Sequence, residues 1–187
     1  GAIPWKAFPR IPGMVSGVLA SLAVFASFCV ACSLFFGLIG HEGLAAGYEH
    51  NAWNWIHVDA FNIPMKFRMD GLNGLLCLVV TGVGTLIHVY SVGYMSHDDN
   101  PSRYFTYLNL FTASMLILIL GASLPILFIG WEGVGLCSYL LIGFWFEDME
   151  KAMAGKKAFV VNRIGDLGFL LGMFLLFREF HTLDFIE

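Results

Sequence analysis

The chain has 187 residues, of which 58% are hydrophobic and 13% charged, and its formal net charge is -4. A soluble domain carries about 25% charged and 45–50% apolar residues. The mean hydropathy of +0.74 sides with that contrast, so a soluble globular domain is excluded although the length alone would suit one. The net charge is small and most charges lie between apolar runs, which leaves no footing for a nucleic-acid partner.

A membrane-crossing helix needs about 20 predominantly apolar residues. The first such run is 14–39, without any Asp, Glu, Lys or Arg. A polar, aromatic-rich stretch, 40–71, follows with His41, Glu42, Glu49, His50, Asp59, Lys66 and Arg68, together with Trp53, Trp55 and Phe61. It reads as an interfacial loop with room for a short hairpin, its tryptophans suited to the headgroup layer. The second helix is predicted over 72–95. A short loop with Asp98, Asp99 and Pro101 leads to a run, 104–146, whose one Asp, Glu, Lys, Arg or His is Glu132. That run is long enough for two spans. Gly121-Ala122-Ser123 before Pro125 is the natural break, because proline is tolerated at a helix start, giving helices at 103–120 and 124–146. A charged loop at 147–157 precedes a fifth helix, 157–178, interrupted by Arg163 and Asp166. The expected fold is an all-α polytopic transmembrane bundle of about five helices in a single membrane domain over 1–187.

Loop charges predict the orientation. The N-terminal segment, the 96–103 loop and the 147–157 loop share one side, with Lys6, Arg10, Arg103, Lys151, Lys156 and Lys157. The 40–71 loop and the C-terminal tail share the other, with Lys66, Arg68 and Arg178. Six against three makes the first side cytoplasmic. No signal peptide is expected, since the first apolar run exceeds a signal core of about 7–15 residues and no small-residue cleavage site follows. The start, Gly1-Ala2-Ile3-Pro4-Trp5, lacks an initiator Met, as a processed chain or a piece of a longer one would.

Three charges sit at membrane depth: Glu132, Arg163 and Asp166. Each costs roughly 2.5–3.5 kcal/mol to insert, so each is a functional hypothesis by default. Gly130, Gly133 and Gly135 around Glu132 remove bulk, allowing close helix approach or room for water. Desolvation favours the neutral form of a lone glutamate and a neighbouring cation favours the charged form. A carboxyl balanced between the two can load and unload a proton. The plainer reading is a hydrogen bond that holds two helices together. Arg163 and Asp166 are three apart and share a helix face. They form either a self-contained ion pair that makes the arginine tolerable or a device that tunes a proton carrier on another helix. His88 is a hydrogen-bonded core histidine or an outlying proton relay. Lys157, opening helix five, is expected to snorkel, and Gly168-x-x-x-Gly172 to pack. Cys29-Val30-Ala31-Cys32 has redox or zinc spacing, yet it lies in an uncharged apolar run where cysteine acts as a small apolar residue. Neither a P-loop nor a dinucleotide-binding glycine motif occurs, and no histidine or cysteine cluster suggests haem, iron–sulfur or another metal.

The run Gly130-Trp131-Glu132-Gly133-Val134-Gly135-Leu136-Cys137-Ser138-Tyr139-Leu140-Leu141-Ile142-Gly143-Phe144 closely resembles the signature of the antiporter-like chain 5, or subunit L, of respiratory complex I. Further resemblance lies in Val80-Thr81-Gly82-Val83-Gly84-Thr85-Leu86-Ile87-His88-Val89-Tyr90, in Arg103-Tyr104-Phe105, in Asn109-Leu110-Phe111 with Ser114-Met115, and in Lys157-Ala158-Phe159-Val160-Val161-Asn162-Arg163-Ile164-Gly165-Asp166. It runs from about Asp70 to the C-terminus, while residues 1–69 match in hydropathy alone. The resemblance implies a proton-translocating membrane-arm subunit of NADH:quinone oxidoreductase. Glu132 then takes the place of the membrane-embedded acid, and Arg163 and Asp166 those of charged positions near it; His88 stays a proton-path candidate on its own chemistry. FMN, iron–sulfur clusters and quinone are implied in other subunits and none in this chain. The implied partners are other membrane subunits of complex I and the lipid bilayer. The cysteine-bearing motif and the loops favour a bacterial cell inner membrane over a mitochondrial one. Family features missing here are an earlier helix, the lysine that partners the glutamate, the broken helices and a long lateral helix. Two rival functions remain: a subunit of a multisubunit Na+/H+ antiporter, whose motif differs after Trp-Glu, and a structural membrane subunit that pumps nothing.

Overall fold

The computed structural model describes residues 13–41, 47–58 and 61–185. Lys6, Arg10, Glu42 and Asp59 lie outside the described residues. The elements in chain order are α1 (Gly13–His41), β1 (Tyr48–Val58), β2 (Phe61–Met69), α2 (Gly71–Tyr94), α3 (Pro101–Leu120), α4 (Leu124–Ile142) and α5 (Met149–Phe180). All five helices are long and apolar enough to cross a membrane, and the fold is an all-α polytopic membrane bundle with a small two-stranded addition.

Local chemistry sets the ends. The Asp70 carboxylate caps α2, accepting from the Leu72 and Asn73 amides at 3.0 Å each. Pro101 opens α3, and Pro125 stands in the first turn of α4, where the missing N–H would have no helical partner. Gly143 caps the end of α4.

Two expectations are corrected. The 147–157 stretch is not a loop, because α5 starts at Met149 and runs eight residues earlier than the apolar pattern predicts. Asp148 accepts the Glu150 amide at 3.1 Å and lies 3.1 Å from Lys151, and Ala152, Met153 and Ala154 are good helix formers. Hydropathy sees only the charges there. Correspondingly, α4 ends at Ile142 rather than 146. Likewise, 40–71 is more than a loop with a short hairpin. β1 and β2 pair antiparallel along nearly their whole lengths, from Tyr48↔Met69 to Val58↔Phe61. The register slips between Asn51 and Trp53 and between Asn54 and Ile56, and Asn54 pairs with Pro64, which has no N–H to give the ladder. Arg68 joins Glu49 at 2.7 Å and Asp70 at 3.4 Å, and the bond to Glu49 holds its guanidinium pKa above the ordinary value despite burial.

The hairpin also ties the loops of its side together. The Ala122 amide donates to the Lys66 carbonyl at 3.1 Å, the Leu124 amide to Leu183 at 2.9 Å, and the Phe185 amide to Ala122 at 3.2 Å. The α3–α4 linker therefore lies between β2 and the C-terminal tail as a middle strand would, with bridges Phe67↔Gly121 and Ser123↔Asp184. On the opposite side, Ala20, Met95, Phe105 and Phe144 form a buried cluster that joins α1, α3 and the turns after α2 and α4. Arg103 donates to the Phe144 carbonyl at 3.1 Å and covers the Phe144 ring. Between these ends the packing is thin. Leu86 and Ile164 are each 70% exposed, the outward apolar surface expected of spans that face lipid or further helices. Among the described elements, α5 packs against α4 alone.

Candidate functional site

Glu132 lies midway along α4, while Arg163 and Asp166 lie one turn apart on α5, the helix beside it. The Arg163 guanidinium Nη1 reaches across to the Glu132 carboxylate. Its Nε stands 3.0 Å from Asp166 Oδ2 on its own helix, but neither atom makes an aligned hydrogen bond, so this second contact is electrostatic. One cation thus serves two carboxylates. Asp166 is 4% exposed, whereas the side chains of Glu132 and Arg163 keep 28% and 33%. The chain brings together three of the four predicted residues.

His88 is the fourth, and it sits elsewhere. It is fully buried on α2, its Nδ1 lies 2.7 Å from the Gly84 carbonyl, and its ring faces Phe105 of α3. Nδ1–H donates in that contact, and in the neutral ring Nε2 is then an acceptor; it has no partner among the described residues.

The glycines of the Glu132 segment have identifiable work. A Cβ at Gly130 would run into the Leu118 backbone, so α3 and α4 touch there. One at Gly133 would strike Ser114 Oγ, and one at Gly135 would sit 3.2 Å from an Arg163 nitrogen. The first two let helices approach, and the third clears space for the guanidinium. Gly165, Gly168 and Gly172 meet nothing within 4 Å among the described residues, so the predicted packing face on α5 is open here. Lys157 is exposed on α5. Cys29 and Cys32 are unbonded thiols, the first exposed and the second half-buried.

Three neighbours escaped the sequence reading. The Trp131 indole donates to Asp166 Oδ1 at 2.8 Å. Phe159 lies under the Arg163 guanidinium, 4.8 Å from ring centroid to Cζ, in cation–π range. Phe169 stacks between Phe128 and Trp131, at 5.3 and 6.3 Å. The one available signal was general: a buried carboxylate needs donors, and an indole N–H beside the motif acid was within reach. A cavity of about 590 Å³ opens between α4 and α5, walled by Trp131, Gly135, Ser138, Arg163, Asp166 and Phe169. The arrangement sets two carboxylates on one guanidinium at membrane depth, beside an open cavity.

Sequence profiles and relatives place these residues in context. A profile described as "NADH-Ubiquinone oxidoreductase (complex I), chain 5 N-terminus" matches residues 55–105. Another, "NADH:quinone oxidoreductase/Mrp antiporter, TM", matches 121–187. NADH-quinone oxidoreductase subunit L of Mycobacterium tuberculosis (strain ATCC 25618 / H37Rv) is 45% identical over 168 residues, 90% of this chain and 26% of that protein. The Escherichia coli (strain K12) protein of the same name is 46% identical over 158 residues, 83% and 26%. NADH-ubiquinone oxidoreductase chain 5 of Metridium senile is 37% identical over 186 residues, 95% and 31%. The chain spans about a quarter of the length of the curated bacterial relatives it matches. Among solved structures, a chain of the Mrp complex from Dietzia sp. DQ12-45-1b superposes with a TM-score of 0.71 at 22% identity, covering 94% of this chain and 19% of that one. That likeness speaks for the fold alone.

Proposed function

Since the chain belongs to the antiporter-like chain 5 (subunit L) family of complex I, we propose that it serves as part of a proton-translocating membrane-arm subunit of an NADH:quinone oxidoreductase. The carrying observation is Glu132, ion-paired to an arginine that a second, buried carboxylate also holds.

Glu132 is the loading acid in this reading. While Arg163 pairs with it, its ionised form is favoured. When Arg163 draws back toward Asp166, desolvation favours the neutral form and Glu132 takes a proton. A switch needs two states whose charge partners differ. The alternating partner for Glu132 belongs to the rest of the protein, where the family carries a lysine. His88 is an outlying member of the path, with Nε2 as its acceptor. The driving redox chemistry, with FMN, iron–sulfur clusters and quinone, sits in other subunits of the complex, whose membrane subunits and the bilayer are this chain's partners. The six-against-three charge bias favours a cytoplasmic side that holds the N-terminal segment and the 96–103 and 147–157 stretches. The cysteine-bearing motif and the loops favour a bacterial cell inner membrane over a mitochondrial one.

The test is Glu132→Gln in the complete protein within its native membrane complex. The expected result is normal assembly and NADH oxidation with fewer protons moved per electron. An unchanged proton-to-electron ratio overturns the reading.

A further inference from the structure

Asp166 poses a problem that Arg163 does not solve. Its carboxylate is 4% exposed, and a buried carboxylate without aligned donors is strongly disfavoured. Arg163 Nε faces Oδ2 at 3.0 Å but out of alignment. The guanidinium is already turned toward Glu132 on the other helix. The aligned donor that Asp166 has is the indole N–H of Trp131, at 2.8 Å on Oδ1.

The indole is placed to do this repeatably. Trp131 and Glu132 are consecutive on α4, so one segment delivers both contacts to α5: a carboxylate to Arg163 and an N–H to Asp166. The ring is stacked on Phe169, one turn beyond Asp166, and Phe169 is stacked on Phe128, one turn before Trp131. This aromatic stack fixes the ring plane and hence the direction of the N–H. The charged groups facing Asp166 from the helices around it are Arg163 on α5 and, through Arg163, Glu132 on α4.

We infer that Trp131 is a positioning residue whose indole N–H meets the Asp166 carboxylate, so that one guanidinium can be shared between Asp166 and Glu132. Without the indole, Asp166 has two ways to meet its need for a donor. It can take Arg163 for itself, leaving Glu132 unpaired, or take up a proton, leaving Arg163 wholly to Glu132. Either outcome ends the sharing. This rests on the reading of Glu132 as the loading acid, but the link between Trp131 and Asp166 can be tested on its own.

The experiment uses the complete protein in its native complex. Trp131→Phe keeps the stacking ring and deletes the N–H. Infrared difference spectra of Trp131→Phe against the parent are expected to gain a protonated-carboxyl band that vanishes when Asp166→Asn is added. Proton-to-electron ratios are expected to fall in Trp131→Phe and to fall no further in the double variant. If Trp131→Phe does not assemble, Phe169→Leu, which frees the ring while keeping its N–H, is expected to give the same changes at smaller amplitude. An assembled variant with neither the band nor a lower ratio overturns the inference. So does a Trp131→Phe loss that adds fully to that of Asp166→Asn. Gain of the band together with normal pumping in Glu132→Gln would sink the loading-acid reading and leave the Trp131–Asp166 link standing.

Discussion

Lys66 on β2 and Asp184 in the C-terminal tail, 118 positions apart in the chain, form an ion pair of 2.9 Å. The pair lies where β2, the α3–α4 linker and the tail run side by side. It thus closes the end of α5 onto the start of α4, the two helices that carry the charged cluster. Both side chains are partly exposed, so the pair itself contributes at most about 1 kcal/mol. Asp184→Asn is therefore expected to leave global stability nearly unchanged. It should nonetheless speed hydrogen exchange at the Leu124 and Phe185 amides, which bond to and from that tail. Unchanged exchange at both amides would show that the backbone bridges hold without the ion pair.

Removing Arg163 has a larger expected cost, because it leaves two carboxylates facing each other at membrane depth. Breaking a fully buried pair costs roughly 3–5 kcal/mol. Arg163 is 33% exposed, and solvent screening brings the expectation for Arg163→Met to about 2 kcal/mol. Adding Glu132→Gln and Asp166→Asn should return most of that, read as thermal unfolding in detergent. A triple variant less stable than Arg163→Met contradicts the shared-cation account.

Two glycines offer a matched comparison. A methyl at Gly130 collides with the Leu118 backbone, whereas one at Gly165 meets nothing within 4 Å among the described residues. Gly130→Ala is expected to cost about 1–3 kcal/mol through forced separation of α3 and α4. Gly165→Ala is expected to be neutral, or stabilising by up to about 1 kcal/mol from helix propensity. Thermal unfolding of the two variants decides. A Gly165→Ala as harmful as Gly130→Ala would mean that another helix lies against that face in the complete protein.

The start of α5 should be acid-sensitive. Lys151, hydrogen-bonded to Asp148, holds that carboxyl below its ordinary pKa, aided by the Glu150 amide it caps. A carboxyl depressed in the folded state contributes stability above its unfolded pKa of about 4 and loses it as pH falls through the folded value. Exchange at the Glu150 amide is expected to rise, beyond its intrinsic pH dependence, below about pH 4. Asp148→Asn should remove that dependence. The same acid response in Asp148→Asn would assign it to another group.

The helices were legible because a bilayer demands length and apolarity, which are additive properties of a sequence. The Glu132, Arg163 and Asp166 cluster was legible for the complementary reason: a charge in an uncharged run is costly enough to stand out. What hydropathy could not show is where polar segments keep regular structure. Ile63-Pro64-Met65-Lys66-Phe67-Arg68-Met69 alternates apolar and polar in the period of a strand, but Pro64 and the surrounding charges masked it. The first two turns of α5 were hidden in the same way by Glu150, Lys151, Lys156 and Lys157. Trp131 drew no role of its own from the sequence because its bond to Asp166 joins positions 35 apart, a distance that no local pattern spans.

Two carboxylates share one Arg163, so with both ionised the cluster would carry one surplus negative charge at membrane depth. Taking up a proton neutralises it. The occupied and empty states therefore differ in how they sit in the transmembrane electric field, which acts at about 2.3 kcal/mol per elementary charge per 100 mV for a full crossing. A group part-way through the bilayer feels a fraction of that. In the proposed proton-translocating role, membrane voltage would bias how often the cluster is filled, and the transport would oppose its own loading.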